Sequence, residues 1–155
     1  MVLLRHVPGM AEGDERLLRA CLAVAKHYQT ICLLHGDGSK AHTLDFSGVH
    51  WRASQLLNAN RAQAPGLMQA ASCHSARELQ LAAKSKVDFV VLGPVCPTAS
   101  HPDQRPLGWS SFGELANQAS MPVFALGGMR PEDLAEAQRW GAHGVAGIRS
   151  FWPSG

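Results

Sequence analysis

The stretch VFALGGMRPED, at positions 123–133, decides the fold class. Its first four residues are apolar and have the composition of a buried strand. Gly127 and Gly128 follow directly and permit a tight turn, and Pro131 with the acidic pair behind it is typical of the first turn of a helix. The stretch therefore predicts a strand, a glycine turn and a helix in immediate succession, which is the repeating unit of a parallel α/β protein.

The same succession recurs along the chain, because seven short apolar runs alternate with stretches of helical period. Strands that alternate with helices predict parallel pairing through right-handed crossovers. On periodicity alone, a barrel of βα units and an open parallel sheet fit equally well. The runs predicted as strands are Val2 to Leu4, Thr30 to Leu34, Gly48 to His50, Leu67 to Ala71, Phe89 to Leu92, Val123 to Leu126 and Gly144 to Gly147.

Several helices carry signals of their own. Between the first two strands, apolar residues at three- and four-residue spacing predict one buried helix face. Residues 75–78 and 111–114 each have the spacing Ser-x-x-Glu, which predicts a capping box at a helix start. Gly141 is suited to end the helix that Pro131 opens. The predicted buried face of the first helix comprises Leu17, Leu18, Cys21, Val24, Ala25 and Tyr28.

Composition bounds the class of protein. The chain has 155 residues, and this length predicts a single domain over residues 1–155. Hydrophobic residues make up 46% of the chain and charged residues 17%, a composition that excludes a disordered chain. A net charge of +2 without a basic stripe argues against nucleic acid and membrane partners. The opening apolar run ends at Arg5, so no secretory signal is indicated. Four scattered cysteines without a C-x-x-C pair fit reduced thiols, and we expect a cytoplasmic protein.

The residues that follow the predicted strands form the candidate site, because ligands of barrels and open parallel sheets bind at the carboxyl ends of strands. Gly127 and Gly128 let main-chain amides approach an anion closely, and Ile148 and Arg149 follow the next strand with further amides and a guanidinium. Together these two loops predict a phosphate site. The structural alternative is a tight strand-to-helix turn with Arg149 as a solvated charge.

Two further features point to the same edge. His74 lies between a predicted strand and the capping serine, where a helix amino terminus favours the neutral imidazole, so it is a candidate general acid/base. The irregular segment from Gly93 to Trp109 predicts an active-site loop. A histidine that only bonds a neighbouring loop, and a plain surface excursion, are the alternatives. A zinc site is a separate hypothesis; its candidate ligands are His6, His35, His50 and His101.

The motifs together resemble one family. In order and spacing, Gly48-Val49-His50, Ser72-Cys73-His74-Ser75, Gly93-Pro94-Val95-Cys96-Pro97-Thr98-Ala99-Ser100, Leu107-Gly108 and Ala125-Leu126-Gly127-Gly128-Met129 are similar to the thiamine phosphate synthase/TenI family. The resemblance covers nearly the whole chain. It implies an α/β, TIM (βα)8-type barrel, here without the first βα unit and the last helix, since the chain begins at what resembles the family's second strand.

The resemblance also implies a ligand and the residues that hold it. Synthases of the family join a pyrimidine diphosphate to thiazole phosphate with magnesium, whereas TenI-type members tautomerise the thiazole phosphate. His74 falls on the position that resembles the TenI acid/base histidine. The positions implied for substrate and phosphate are Arg5, Ser72, Thr98, Ser100, Gly127, Gly128, Ile148 and Arg149.

The chain departs from the synthase pattern where the family holds metal. Gly36 and Gln55 stand at the positions that resemble the two magnesium aspartates, His101 replaces a lysine, and of the Q-x-R-x-K strand end only Arg5 is kept. A one-position shift could bring Asp37 into the metal position instead. We therefore expect no metal and no firm cofactor, with magnesium needed only if the chain is a working synthase.

The sequence thus predicts a TenI-like phosphate-binding barrel, a thiazole phosphate tautomerase or a degenerate relative. The alternatives are a thiamine phosphate synthase and a non-catalytic module that binds a thiamine-related phosphate. The expected partner is a small-molecule thiazole phosphate or a related phosphate. Because exposed strand edges need covering, a fused domain or a homo-oligomer is expected to cover the open barrel edge. TenI-like domains also resemble the carboxyl-terminal half of certain Nudix hydrolase fusions.

Overall fold

The computed structural model describes residues 1–5, 13–59, 61–98 and 105–151. Seven parallel strands form one sheet, and each strand pairs with the next in chain order. This confirms the seven predicted strands and the α/β barrel-type architecture. Within the described residues the first and last strands do not pair, so the barrel is open on that side. The strands are β1 (Val2–Arg5), β2 (Cys32–His35), β3 (Gly48–Trp51), β4 (Met68–Cys73), β5 (Phe89–Leu92), β6 (Val123–Leu126) and β7 (Gly144–Ala146).

Helices fill most of the crossovers between these strands. The link from β3 to β4 contains only short 3-10 turns at 53–55 and 61–63, and further turns lie at 131–133 and 149–151. None of the helices in the described ranges is both long and apolar enough to cross a bilayer. The α-helices are α1 (Gly13–His27), α2 (Gly38–Thr43), α3 (Ala76–Ser85), α4 (Gly108–Ala116) and α5 (Leu134–Arg139).

Side chains alternate between the two faces of the sheet and form two apolar layers. The larger layer lies between the sheet and the helices; it includes Leu34, Val49 and Phe112. The smaller layer lies inside the barrel, where Leu33, Ala70 and Phe89 pack together. Residues two positions further along β2, β3 and β4 share this inward face at the carboxyl end. Polar side chains occupy it there, namely His35, His50 and Ser72.

Helix α1 buries a different stripe from the predicted one. Leu18, Leu22 and Ala25 are buried. In contrast, Leu17 and Val24 are each 58% exposed and Tyr28 is 72% exposed. The sequence offers two adjacent apolar stripes about 100° apart, since neighbouring residues of a helix are separated by that angle. Packing against the sheet uses only one of them, and the predicted face was therefore wrong for Leu17, Val24 and Tyr28.

The predicted capping boxes have opposite outcomes. Ser75 caps α3, and its hydroxyl accepts a hydrogen bond from the amide of Glu78 at 3.3 Å. Ser111, however, lies inside α4, which begins at Gly108. That helix starts early because the amides of Leu107 and Gly108 donate to the carbonyls of Pro94 and Val95, at 2.8 and 2.9 Å. A tertiary contact therefore overrides the local capping signal.

The remaining boundary predictions are confirmed or shifted slightly. Gly141 follows α5 with φ +88°, as predicted for a residue that ends a helix, and Pro131 lies in the turn that precedes α5. Strand β2 begins at Cys32 rather than Thr30, because the amide of Thr30 still donates to the carbonyl of Ala25 in α1. The four cysteines form no disulfide.

Candidate functional site

The glycine pair after β6 lies in close contact with the loop after β5. A Cβ atom on Gly127 would lie 2.5 Å from Cβ of Pro94, and one on Gly128 would lie 2.8 Å from the carbonyl oxygen of Pro97. Both glycines also have positive φ, +95° and +70°. The amide of Cys96 donates to the Gly127 carbonyl at 3.1 Å and fixes the two loops together. Glycine is thus required here by backbone conformation and by close approach.

The main-chain amides at this position suit an anion. No carbonyl of the described residues accepts a hydrogen bond from the amides of Gly127, Gly128 or Ile148. Strands β6 and β7 are paired, so the loops that follow them lie side by side at the carboxyl end of the sheet. Ile148 and Arg149 are both exposed. The structure therefore brings together the two loops that the sequence predicts as a phosphate site, with free donors on both.

His74 lies directly after β4 and before the Ser75 cap, as predicted. Its Nδ1 lies 2.5 Å from the carbonyl oxygen of Gly93, and its main-chain amide donates to the Glu78 carboxylate. A carbonyl only accepts, so Nδ1 carries a proton, and in the neutral form of the ring Nε2 holds the lone pair. His74 is exposed at the barrel mouth. The arrangement suits a group that accepts a proton through Nε2.

The other predicted substrate residues are placed as follows. Ser72 is half-buried on β4, at 3.4 Å from Nε2 of His50. Arg5 ends β1, is exposed, and is the register neighbour of His35. Thr98 is half-buried on the loop after β5, and Ser100 lies outside the described residues.

A buried histidine pair occupies the inner face of the barrel near this mouth. His35 and His50 are 8% and 3% exposed, and their Nδ1 atoms lie 3.0 Å apart. The Arg52 guanidinium donates through Nε to Nε2 of His35 at 3.2 Å. Since arginine only donates, His35 must accept at Nε2, carry its proton on Nδ1 and donate to His50. His50 then carries its proton on Nε2, which faces the Ser72 hydroxyl.

The environment keeps both rings neutral. Burial, together with the positive charges of Arg5 and Arg52, lowers the pKa of His35 to about 4. Burial likewise lowers the pKa of His50 to about 3, with the charge of His35 as the next cause.

The zinc hypothesis is not supported by the contacts of these histidines. No group of three or more His, Cys, Asp or Glu suited to a metal occurs in the described ranges, and His6 and His101 lie outside them.

The positions that resemble the magnesium aspartates do not fit a magnesium ion. Gly36 has no side chain, and the Gln55 amide is bonded to main-chain groups on both sides, accepting from Arg52 at 3.0 Å and donating to the Gly36 carbonyl at 2.9 Å. Asp37, the residue that a one-position shift could bring into the metal position, has another role here. Its carboxylate caps α2 by accepting from the Lys40 amide at 2.8 Å. A cationic guanidinium thus stands where a metal would need carboxylate oxygens.

Sequence reasoning missed Arg52 as a site residue and considered His35 and His50 only as zinc ligands. The signal that could have found the network is the alternation of strand residues. Inward-facing positions continue from His50 to residue 52, and in parallel strands the carboxyl ends of β2 and β3 meet at one edge.

Comparison with known proteins identifies the family. Residues 1–151 match the family model described as thiamine monophosphate synthase. The chain is 36% identical over 143 residues to the thiamine-phosphate synthase of Methanococcus vannielii, an alignment that covers 92% of this chain and 68% of the relative. It is 29% identical over 143 residues to the thiamine-phosphate synthase of Lysinibacillus sphaericus, covering 90% of this chain and 67% of the relative.

A solved structure shows the same fold. The thiamine phosphate pyrophosphorylase from Pyrococcus furiosus superposes with a TM-score of 0.76 at 22% sequence identity, over 94% of this chain and 70% of that protein. With the seven-stranded parallel sheet, the glycine pair after β6 and a family match over almost its entire length, the chain belongs to the thiamine monophosphate synthase family.

Proposed function

We propose that this chain binds thiazole phosphate, or a closely related phosphate of thiamine metabolism, and moves a proton on it with His74. The phosphate lies on the amides of Gly127, Gly128 and Ile148 in this proposal, with the Arg149 guanidinium beside it. The observation that carries it is the position of Gly93. Its carbonyl accepts the Nδ1 proton of His74, and the loop that it begins packs on the glycine pair.

The chemistry asked of His74 is modest. A tautomerisation removes a proton from one atom of the substrate and returns a proton to another, with no net change in composition. The Nε2 lone pair of a neutral imidazole accepts the first proton, and the imidazolium donates the second. The Gly93 carbonyl stabilises the imidazolium by accepting its Nδ1–H. No metal ion is required for either transfer.

Thiamine phosphate synthesis is the second candidate, and it is favoured by the names of the relatives. That reaction releases diphosphate, whose negative charge must be neutralised as it leaves. In synthases of the family magnesium does this, and the residues at positions 36, 37 and 55 do not fit a magnesium ion here. A non-catalytic binding module is the third candidate, because the glycine cradle alone would suffice for it.

One set of experiments separates the three. Purified protein is titrated with thiazole phosphate by calorimetry, and turnover is followed by NMR in D2O for proton exchange and by formation of thiamine phosphate with and without magnesium. The variants are His74→Gln, Gly128→Asp and the control His143→Gln, an exposed histidine at the start of β7, at the opposite end of the barrel.

The proposal predicts metal-independent binding that Gly128→Asp abolishes, and proton exchange that His74→Gln reduces by about a hundredfold or more while binding persists. The control variant should retain both. Magnesium-dependent thiamine phosphate formation would overturn the proposal in favour of a synthase. Binding without exchange would show a binding module, and the absence of binding in the wild type would remove all three candidates.

A further inference from the structure

We propose that Arg52 forms a second anion subsite at the barrel mouth, in which its guanidinium binds a phosphate or diphosphate group without a metal ion. The subsite lies after β3, away from the glycine pair that follows β6. It therefore does not depend on the function proposed for the glycine cradle.

The first argument is the space that Arg52 occupies. A Cβ atom built on Gly36 would lie 3.4 Å from Nε and 3.8 Å from Cζ of Arg52, and 3.5 Å from Oε1 of Gln55. These are ordinary van der Waals distances, so a side chain at position 36 would lie directly against the guanidinium. Gly36 also has φ +79°, a conformation that disfavours an aspartate. The positively charged guanidinium of Arg52 therefore lies beside position 36 at the barrel mouth.

The second argument is how firmly Arg52 is held. Its main-chain amide donates to Gln55, and its Nε donates to His35. His35 in turn is held by His50, and His50 by contact with Ser72. The guanidinium is therefore oriented by a chain of hydrogen bonds across three strands. Among the described residues only Nε of this guanidinium has a hydrogen-bond partner, so the two terminal nitrogens can donate to a ligand.

The third argument is the charge around the subsite. Arg5 ends the strand on the other side of His35, so two guanidinium groups flank one neutral histidine pair. Asp37, the acidic residue next in sequence to Gly36, caps α2 instead. No carboxylate in the described ranges forms an ion pair with Arg5 or Arg52. An exposed and a half-buried guanidinium, neither of which is paired with a carboxylate of the described residues, favour a multiply charged oxyanion.

The geometry of the donors narrows the ligand class. The planar guanidinium presents parallel N–H groups that match two oxygens of one phosphate, and such bidentate bonds are stronger than those to a neutral acceptor. Because Arg5 supplies a second positive charge at the same mouth, a phosphate ester or a diphosphate fits better than a single carboxylate. Inorganic pyrophosphate is the smallest probe of that chemistry.

The test is calorimetric titration with inorganic pyrophosphate in EDTA, followed by the same titration with magnesium. We compare the wild type with Arg52→Gln, Arg52→Lys and Gly128→Asp. Arg139→Gln is the matched control, because Arg139 lies at the carboxyl end of α5, on the opposite side of the barrel from the mouth, and pairs with Glu136. Thermal unfolding of each variant shows whether it folds.

The subsite predicts binding in EDTA that Arg52→Gln weakens by at least about tenfold. Arg52→Lys should restore part of the affinity, because lysine supplies the positive charge but not the paired, planar N–H donors of a guanidinium. If Arg52→Gln fails to fold, the comparison rests on Arg52→Lys. Gly128→Asp should leave the Arg52-dependent binding in place even if it abolishes thiazole phosphate binding. Binding that requires magnesium, or that is equal in wild type and the Arg52 variants, would overturn the subsite.

Discussion

At the scale of the residue, the glycine pair after β6 was predictable from sequence but only half explained by it. Local pattern identifies Gly127 and Gly128 as residues that let amides approach an anion. The structure adds that a side chain at either position would run into the loop after β5. That contact joins residues about 30 positions apart in the chain, and no local pattern contains it.

The two requirements can be separated by substitution. Gly128 and Gly66 both have positive φ, +70° and +77°, but a Cβ on Gly66 would meet no atom within 4 Å. Gly66→Ala should lower the free energy of unfolding by about 1–2 kcal/mol, the backbone term alone. Gly128→Ala should lower it by about 1–3 kcal/mol more, because Pro97 and Cys96 must shift. Urea denaturation measures both, and equal losses would show that the close approach is unimportant.

Among the candidate site residues, His74 was predictable from the sequence, whereas the hydrogen-bond network of Arg52 was not. His74 could be predicted as a site residue because strand end, histidine and capping serine are consecutive in sequence. The bond from Arg52 to His35 spans 17 positions and depends on the register of β2 against β3. A zinc site was a reasonable interpretation of His35 and His50 from composition. The direction of the hydrogen bonds, which only the structure supplies, assigns them a different role.

At the scale of the element, two identical Ser-x-x-Glu capping patterns led to different structures. Ser75 and Ser111 both stand three residues before a glutamate, yet only Ser75 caps a helix. Helix α4 begins earlier because its first amides find carbonyls in the loop after β5. Likewise, α1 has two apolar stripes, and the sequence alone does not state which one the sheet covers. Strand positions were predictable because buried parallel strands are continuous apolar runs.

This difference predicts unequal effects of the same substitution. Ser75→Ala removes the hydroxyl that accepts from the Glu78 amide, so it should destabilise the protein by about 1 kcal/mol. Ser111→Ala lies on the exposed face of a helix interior and should be neutral or slightly stabilising, because alanine is the better helix former. The measurement is the midpoint of chemical denaturation. Equal destabilisation by the two variants would contradict the assignment of the helix starts.

At the scale of the whole molecule, the seven parallel strands, the barrel-type architecture and its open edge were predictable, whereas what covers that edge was not. Within the described residues β1 and β7 do not pair. A covering domain or second copy therefore stays a prediction, as does the single-domain assignment. The buried polar network inside the barrel also acts on the whole molecule, because its protonation is coupled to folding.

The coupling gives stability a defined pH dependence. In the unfolded chain His35 and His50 have the ordinary pKa of 6.5, whereas folding lowers these pKa values to about 4 and about 3. Between pH 6.5 and these lowered pKa values, the unfolded state therefore binds more protons than the folded state. The contribution of the pair is fully present above pH 6.5 and is lost as the pH falls toward 4. Each histidine should reduce the free energy of unfolding by about 1.4 kcal/mol per pH unit in that window.

The check is urea denaturation from pH 7.5 to 4.5. The same series on the double variant His35→Asn, His50→Asn supplies the control, because asparagine does not titrate in this range. Only the slopes are compared, so a lower baseline stability of the variant does not matter. The variant should show a much shallower decline with acid. Parallel curves would assign the acid sensitivity to other groups.

The environment of Gly36 also constrains how this protein can change over evolutionary time. Introducing an aspartate there in one step would place it in an unfavourable backbone conformation and beside Arg52, which would form an ion pair with its carboxylate. Replacing Gln55 first would release the Gly36 carbonyl and the Arg52 amide. Each single step toward a metal site is therefore disfavoured while the others are unchanged. Substitutions that keep Arg52 are therefore expected to be accepted more readily during evolution than substitutions that introduce carboxylates for a metal ion.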